Sequence, residues 1–122
     1  MNITLWTAQG LLAIAYLVAG GLKVVRSREQ LVATGRLDWM KDNSDVAVKA
    51  VGAVEILGAL GVVLPELTGI APILTPVAAV GLVLVQILAM RVHLTRNERQ
   101  PLPANVFLLL LAAFVAIGRF LG

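Results

Sequence analysis

Residues 46–64 read VAVKAVGAVEILGALGVVL, a run of nineteen residues of which ten are Val, Ile or Leu. An α-helix rises about 1.5 Å per residue, so about 20 mostly apolar residues cross a hydrocarbon layer of about 30 Å. An acid at the centre of such a helix, here Glu55, costs about 2.5 to 3.5 kcal/mol, whereas each Val, Ile or Leu returns about 0.3 to 0.6 kcal/mol. The segment therefore predicts a transmembrane helix that carries one buried carboxyl group.

Three further segments have a similar length and composition, and the four predicted spans are residues 3–25, 46–64, 70–92 and 102–121. In the 122-residue chain, 59% of the residues are hydrophobic and the mean hydropathy is +0.91. A chain this short cannot bury so much apolar surface within itself, so part of that surface must face lipid. We expect an all-α integral membrane protein, an antiparallel up-down four-helix transmembrane bundle that forms a single domain over residues 1–122.

The connections between the spans indicate how the helices are joined. Residues 65–69 read PELTG, a run of turn formers that predicts a tight hairpin between spans two and three. Pro72 and Pro76 then fall in the first turns of span three, where a missing amide donor costs least. Between spans one and two, Ser27 followed by Gln30 matches a capping box and predicts a short interfacial helix. An ordinary charged loop is the alternative for that connection.

Basic residues concentrate at one end of the predicted bundle. The two connections at that end and their flanks carry Lys23, Arg26, Arg28, Arg36, Lys41, Lys49, Arg91, Arg96 and Arg99. The hairpin has no Lys or Arg, and the C-terminal end has only Arg119. The positive-inside rule then predicts a multi-pass protein of the inner (plasma) membrane of the cell with both termini outside. This placement explains the pI near 10 without a nucleic-acid partner.

Glu55 is surrounded by small residues at helical spacing, namely Gly52, Gly58 and Ala59. Small residues let a second helix come close, so this face is expected to point into the bundle. Inside the bundle, the carboxyl group can serve as a hydrogen-bonded structural link, or it can bind a ligand or exchange a proton. The pattern is compatible with both roles.

Span one carries a polar stripe, because Gln9, Tyr16 and Lys23 recur every seven residues and share one face. Measured from the basic end, Tyr16 lies at the same depth as Glu55, which predicts a hydrogen bond from the Tyr16 hydroxyl to the Glu55 carboxyl. Lys23 lies near the end of its span, and we expect its ammonium to extend to water or lipid phosphates. The alternative is that Lys23 leans inward beneath Glu55.

Polar residues from all four spans thus fall in the basic half of the bundle. They are the candidate ligand-binding residues Glu55, Tyr16, Lys23, Gln86, His93 and Asn105. The chain has no cysteine, and its one histidine cannot provide both axial ligands of a haem unless two subunits share the group. The sequence therefore predicts no metal site and no cofactor of its own, and it identifies no catalytic residue.

Several short motifs follow one another in a specific order. They are AGGLK at residues 19–23, GAVEILGALG at 52–61, His93 followed by RNE at 96–98, and Asn105 leading into AA at 112–113 and GR at 118–119. In these motifs the chain resembles the DoxX-like family of small bacterial integral membrane proteins. The resemblance implies a four-helix membrane bundle, with relatives that are membrane subunits of thiosulfate-to-quinone oxidoreductases or partners of redox-stress enzymes. It implies no set of catalytic residues.

Three functions are compatible with these features. The first is a non-catalytic membrane subunit or anchor of a redox or quinone-linked complex, with soluble redox enzymes as partners. The second is a protein that binds a hydrophobic small molecule (a quinone or a lipid-like compound), or an intramembrane acid/base enzyme that uses Glu55. The third is a proton-coupled transporter. Small-residue pairs such as Ala15 with Ala19 and Ala112 with Ala116 suit packing within the bundle or between subunits of a homo-oligomer.

Overall fold

The computed structural model describes residues 2–25, 45–95, 97, 99 and 102–121. These residues form five helices: α1 (Asn2–Val25), α2 (Asp45–Gly61), α3 (Leu64–Thr68), α4 (Leu74–Thr95) and α5 (Leu102–Leu121). Helices α1, α4 and α5, and α2 together with α3, are each long and apolar enough to cross a membrane. The all-α four-helix bundle is confirmed, while the short helix predicted between spans one and two lies outside the described residues.

Helices α1 and α2 pack closely because glycines face each other. A Cβ atom added at Gly20 would lie 2.6 Å from the carbonyl oxygen of Gly52, so no larger residue fits without a shift. Towards the other end of α1, the Gln9 side-chain amide donates to the carbonyl oxygen of Val62 at 2.6 Å. Late residues of α1 therefore meet early residues of α2, and early residues of α1 meet the end of α2.

The other helix pairs meet through small residues as well. Gly58 of α2 contacts the Leu82 side chain of α4, and a Cβ atom at Gly61 would lie 2.7 Å from the Cβ atom of Ala78. In α5, Gly118 contacts the Leu5 side chain of α1. The up-down order of the helices stays a prediction, and these contacts support it.

The connection between spans two and three differs from the prediction, because residues 64–68 form the helical turn α3 rather than a bare hairpin. Pro65 lies in the first turn of α3. Proline costs little there, because a backbone amide in the first turn has no hydrogen-bond acceptor within the helix. Gly69 ends the turn in the left-handed conformation (φ +72°), and its amide donates to the carbonyl of Pro65 at 3.0 Å. Helix α4 begins at Leu74 instead of residue 70, so Pro72 precedes the helix and Pro76 lies in its first turn.

The bundle interior is narrow, and much of the apolar surface faces outward. Leu12, Tyr16, Val62, Leu82 and Val115 are fully buried between the helices. Large hydrophobic residues on every long helix are exposed, among them Ile14, Leu57, Leu88 and Leu110. A soluble monomer rarely exposes such continuous apolar surface, so these faces are suited to contact with lipid chains.

Candidate functional site

Glu55 lies in the bundle interior, as its small neighbours predicted, with 6% of its surface exposed. Its carboxylate oxygen Oε1 lies 2.7 Å from the Nζ atom of Lys23. Lys23 is itself 8% exposed, so the expectation that its ammonium extends to water or lipid phosphates is wrong. The inward alternative holds because Gly20 and Gly52 bring α1 and α2 close enough for the two charges to meet. An unpaired acid at this depth would cost more than the paired arrangement.

The Tyr16 hydroxyl has a different partner from the predicted one. The side-chain amide of Gln86, on α4, donates a hydrogen bond to the Tyr16 hydroxyl oxygen. Because Lys23 holds the Glu55 carboxylate, the predicted bond from Tyr16 to Glu55 is replaced by two separate pairs. The first pair joins α1 to α2 and the second joins α1 to α4.

Next to these two pairs lies a cavity of about 540 Å³ between α1, α2, α4 and α5. This volume falls in the range of small-molecule sites, about 300 to 1,000 Å³. All six candidate residues from the sequence line the cavity: Tyr16, Lys23, Glu55, Gln86, His93 and Asn105. The rest of the wall is formed by Ala, Val and Leu side chains. The structure thus brings the candidates together, although their role in binding stays a prediction.

Two polar atoms in the cavity wall are buried without a hydrogen-bond partner among the described residues. They are the side-chain oxygen of Gln86 and the side-chain nitrogen of Asn105. A buried polar group left unpaired costs about 1 to 3 kcal/mol. Once the two side-chain amides turn towards the cavity, a molecule that offers one acceptor and one donor there would remove both costs, so these amides are suited to hold a polar head group.

The polar side chains on the cavity wall are groups that form hydrogen bonds. In the described parts of the chain, no three or more His, Cys, Asp or Glu side chains are grouped to hold a metal ion. His93 lies half-buried on the cavity wall near the end of α4. Its imidazole is a third group with hydrogen-bonding capacity on this wall, besides the amides of Gln86 and Asn105.

A second polar cluster lies at the opposite end of the bundle, and the sequence analysis did not identify it. The Arg119 guanidinium donates to the side-chain oxygen of Gln9 at 2.9 Å and to that of Asn2 at 3.0 Å. It also lies 3.4 Å from a Glu66 carboxylate oxygen and 5.3 Å from the centre of the Trp6 ring. We call these five residues the Arg119 cluster. It ties α1, α3 and α5 together, so it closes the bundle at the end that carries α3.

The cluster was missed because Arg119 is separated by more than a hundred residues from Asn2 and Gln9. One signal was available, since a lone arginine in the last turn of an apolar helix needs either water or a partner. The polar stripe on span one, which included Gln9, pointed to that partner. Gln9 in turn binds Val62, where the α2 helix is interrupted.

Comparison with known proteins agrees with this architecture. A family model described as the DoxX-like family matches residues 7–115, a range that includes all six candidate residues of the cavity wall. No curated protein and no solved structure gives a significant match. The matched range includes most of each long helix, so the family assignment applies to the whole bundle. The chain therefore belongs to the DoxX-like family and is a multi-pass membrane protein with four candidate transmembrane spans.

Proposed function

We propose that this protein binds a membrane-soluble molecule of the quinone class in the cavity, as a membrane subunit of a redox complex. The observation that carries the proposal is the cavity itself. It has a volume of about 540 Å³, an aliphatic wall and a polar patch formed from all four long helices. The resemblance to redox-linked relatives supports the same ligand class.

The polar groups of the cavity fit both redox forms of such a ligand. A quinone ring carries carbonyl oxygens, which accept hydrogen bonds, and the Asn105 amide nitrogen is an unpaired donor. The reduced quinol carries hydroxyl groups, which donate, and the Gln86 amide oxygen is an unpaired acceptor. The ammonium of Lys23 gives one hydrogen to Glu55 and has two further donors for a carbonyl. The apolar wall suits the ring faces and the chain of the molecule.

Two other roles are less well supported by the geometry. An acid/base enzyme or a proton-coupled transporter would need the Glu55 carboxyl to exchange protons, and the carboxylate is held by Lys23 at 2.7 Å. That partner makes a positioning role for Glu55 the simpler one, because the ion pair fixes both side chains at the edge of the cavity.

Residence in the inner membrane with both termini outside also belongs to the proposal and rests on the basic residues at the cavity end.

Quinone binding can be tested with the purified protein in lipid nanodiscs. A benzoquinone with a decyl chain should bind saturably to the unmodified protein. Asn105→Leu removes one hydrogen bond to the ligand and should weaken binding about fivefold, the equivalent of about 1 kcal/mol. The matched control is Val106→Leu, since Val106 is exposed on the same helix turn and does not line the cavity.

If the decyl benzoquinone did not bind saturably to the unmodified protein, the proposal would be refuted. Equal affinities of Asn105→Leu and Val106→Leu would refute the role of the amide. Membership of a redox complex is tested separately, by purification in a gentle detergent and identification of co-purifying proteins. Recovery of a soluble oxidoreductase would support that part, and recovery of the chain only as a homo-oligomer would contradict it.

A further inference from the structure

We infer that the ligand of the cavity enters sideways from the bilayer, between α2 and α4, and that its hydrocarbon chain stays in this gap while its head group lies inside. The inference rests on the proposed binding function and adds the route and the chemical class of the ligand. That class is an amphiphile with a compact polar head and one long apolar chain.

On α2, one stripe of residues begins at the contact with α4 and continues along the helix towards the basic end. Gly61 and Gly58 contact Ala78 and Leu82 of α4 near the end that carries α3. The same stripe continues at helical spacing through Val54 and Val51, three to four residues apart. These valines line the cavity, and Val54 is 52% exposed. The stripe therefore loses contact with α4 towards the basic end.

Helix α4 shows the matching pattern. Ala78 and Leu82 contact α2, and the stripe that they begin continues through Val85, Ala89 and Val92, which line the cavity. Leu88, beside this stripe, also lines the cavity and is 61% exposed. The two helices thus touch near α3 and leave a gap between them at the level of the cavity.

The edge of this gap is entirely aliphatic, and we call Val51, Val54, Leu88 and Val92 the lateral opening. Each of the four is partly exposed on a candidate membrane span, where its outer surface is suited to contact with lipid chains. Behind the opening lie the charged and amide groups of Lys23, Glu55 and Gln86. A polar head can therefore reach these groups while an attached chain keeps apolar surroundings along the whole path.

Two other sides of the cavity are closed by contacts between described residues. Between α1 and α2 the backbones touch at Gly20 and Gly52, and the Lys49 ammonium donates to the carbonyl oxygen of Val24 at 2.8 Å. At the opposite end, the buried core and the Arg119 cluster close the bundle. The lateral opening is thus the side on which residues that line the cavity are also exposed and apolar.

The route is tested by narrowing the opening. Leu88→Trp fills the gap, whereas Ile87→Trp places the same ring at the same depth on a residue that is 49% exposed and does not line the cavity. Each variant is assayed in nanodiscs with two probes, a benzoquinone with a decyl chain and the same ring without a chain. Leu88→Trp should weaken binding of the decyl quinone about tenfold more than it weakens binding of the chain-free quinone, because only the decyl quinone has a chain in the gap. Ile87→Trp should change neither.

Equal affinities of Leu88→Trp and Ile87→Trp for the decyl quinone would overturn the placement of the ligand's chain in the gap, and with it the lateral route, while leaving the proposed function in place. Failure of the unmodified protein to bind either quinone would refute the proposed function, and the route with it. A second measurement needs no variant: a decyl quinone with a photoreactive diazirine on its chain should cross-link to the lateral opening. Cross-links found instead on Ile14 or Leu110, which are exposed away from the cavity wall, would overturn the route.

Discussion

The ion pair between Lys23 and Glu55 provides the sharpest test of the fold. The two charged atoms lie 2.7 Å apart, and both side chains are at least nine-tenths buried. Removing one partner of a buried pair costs about 3 to 5 kcal/mol, because the other charge is left without compensation. Lys23→Met keeps the length and the apolar stem of the side chain and leaves Glu55 alone in the interior. We expect it to lower the free energy of unfolding by about 3 kcal/mol.

The opposite substitution should cost less. In Glu55→Gln the remaining ammonium belongs to Lys23, which is two residues from the end of α1 and can turn towards water. We expect a loss of about 1 kcal/mol for Glu55→Gln alone. With both substitutions no charge is left in the interior, so the double variant should be about 2 kcal/mol more stable than Lys23→Met alone.

The assay is unfolding by sodium dodecyl sulfate in mixed micelles, followed by helical circular dichroism. The matched control is Lys49→Met, since the Lys49 ammonium lies at the same end of the bundle and donates to a backbone carbonyl at an exposed position. That variant should lose about 1 kcal/mol or less. A buried ion pair would be contradicted if Lys23→Met cost no more than Lys49→Met, or if the costs of Lys23→Met and Glu55→Gln were simply additive.

Three further substitutions are checked by the same unfolding titration. Gly20→Ala places a Cβ atom 2.6 Å from a carbonyl oxygen and should cost about 1 to 3 kcal/mol, whereas Gly21→Ala has open space and should be neutral or stabilising by up to about 1 kcal/mol. Equal effects of the two would contradict the close helix contact. Tyr16→Phe leaves the buried amide of Gln86 without its acceptor and should cost about 1 to 2 kcal/mol, most of which Gln86→Leu in the same chain should restore. No recovery in that double variant would argue against the pair. Arg119→Met breaks the contacts of α5 with α1 and α3 and should cost about 2 to 3 kcal/mol, and a loss below about 0.5 kcal/mol would show that the cluster is not structural.

The predicted spans agree with the observed helices because membrane insertion depends on a local property, the apolar length of a segment. The boundaries around residues 62–73 were less accurate. PELTG was interpreted as a bare turn, since Pro and Gly mark turns, yet Pro65 also suits the start of a helix and Gly69 its end. Local composition alone does not decide between these two structures.

Depth in the membrane was predictable from the sequence, because each residue adds a fixed rise along a helix. For this reason Tyr16 and Glu55 were expected at the same depth, and all six candidate residues were expected in the basic half of the bundle, where they line one cavity. The interior position of Glu55 was predictable as well, since small residues surround the acid on its own helix.

The tertiary structure alone decided which side chains meet. Lys23 pairs with Glu55, Tyr16 with Gln86, and Arg119 with residues at the start of α1. These pairings depend on the rotation of each helix about its axis and on the distance between axes. Contacts between residues far apart in the chain, such as Gly20 with Gly52, set both quantities. The separation of α2 from α4, which leaves the lateral opening, is likewise a property of the packed bundle and not of either segment.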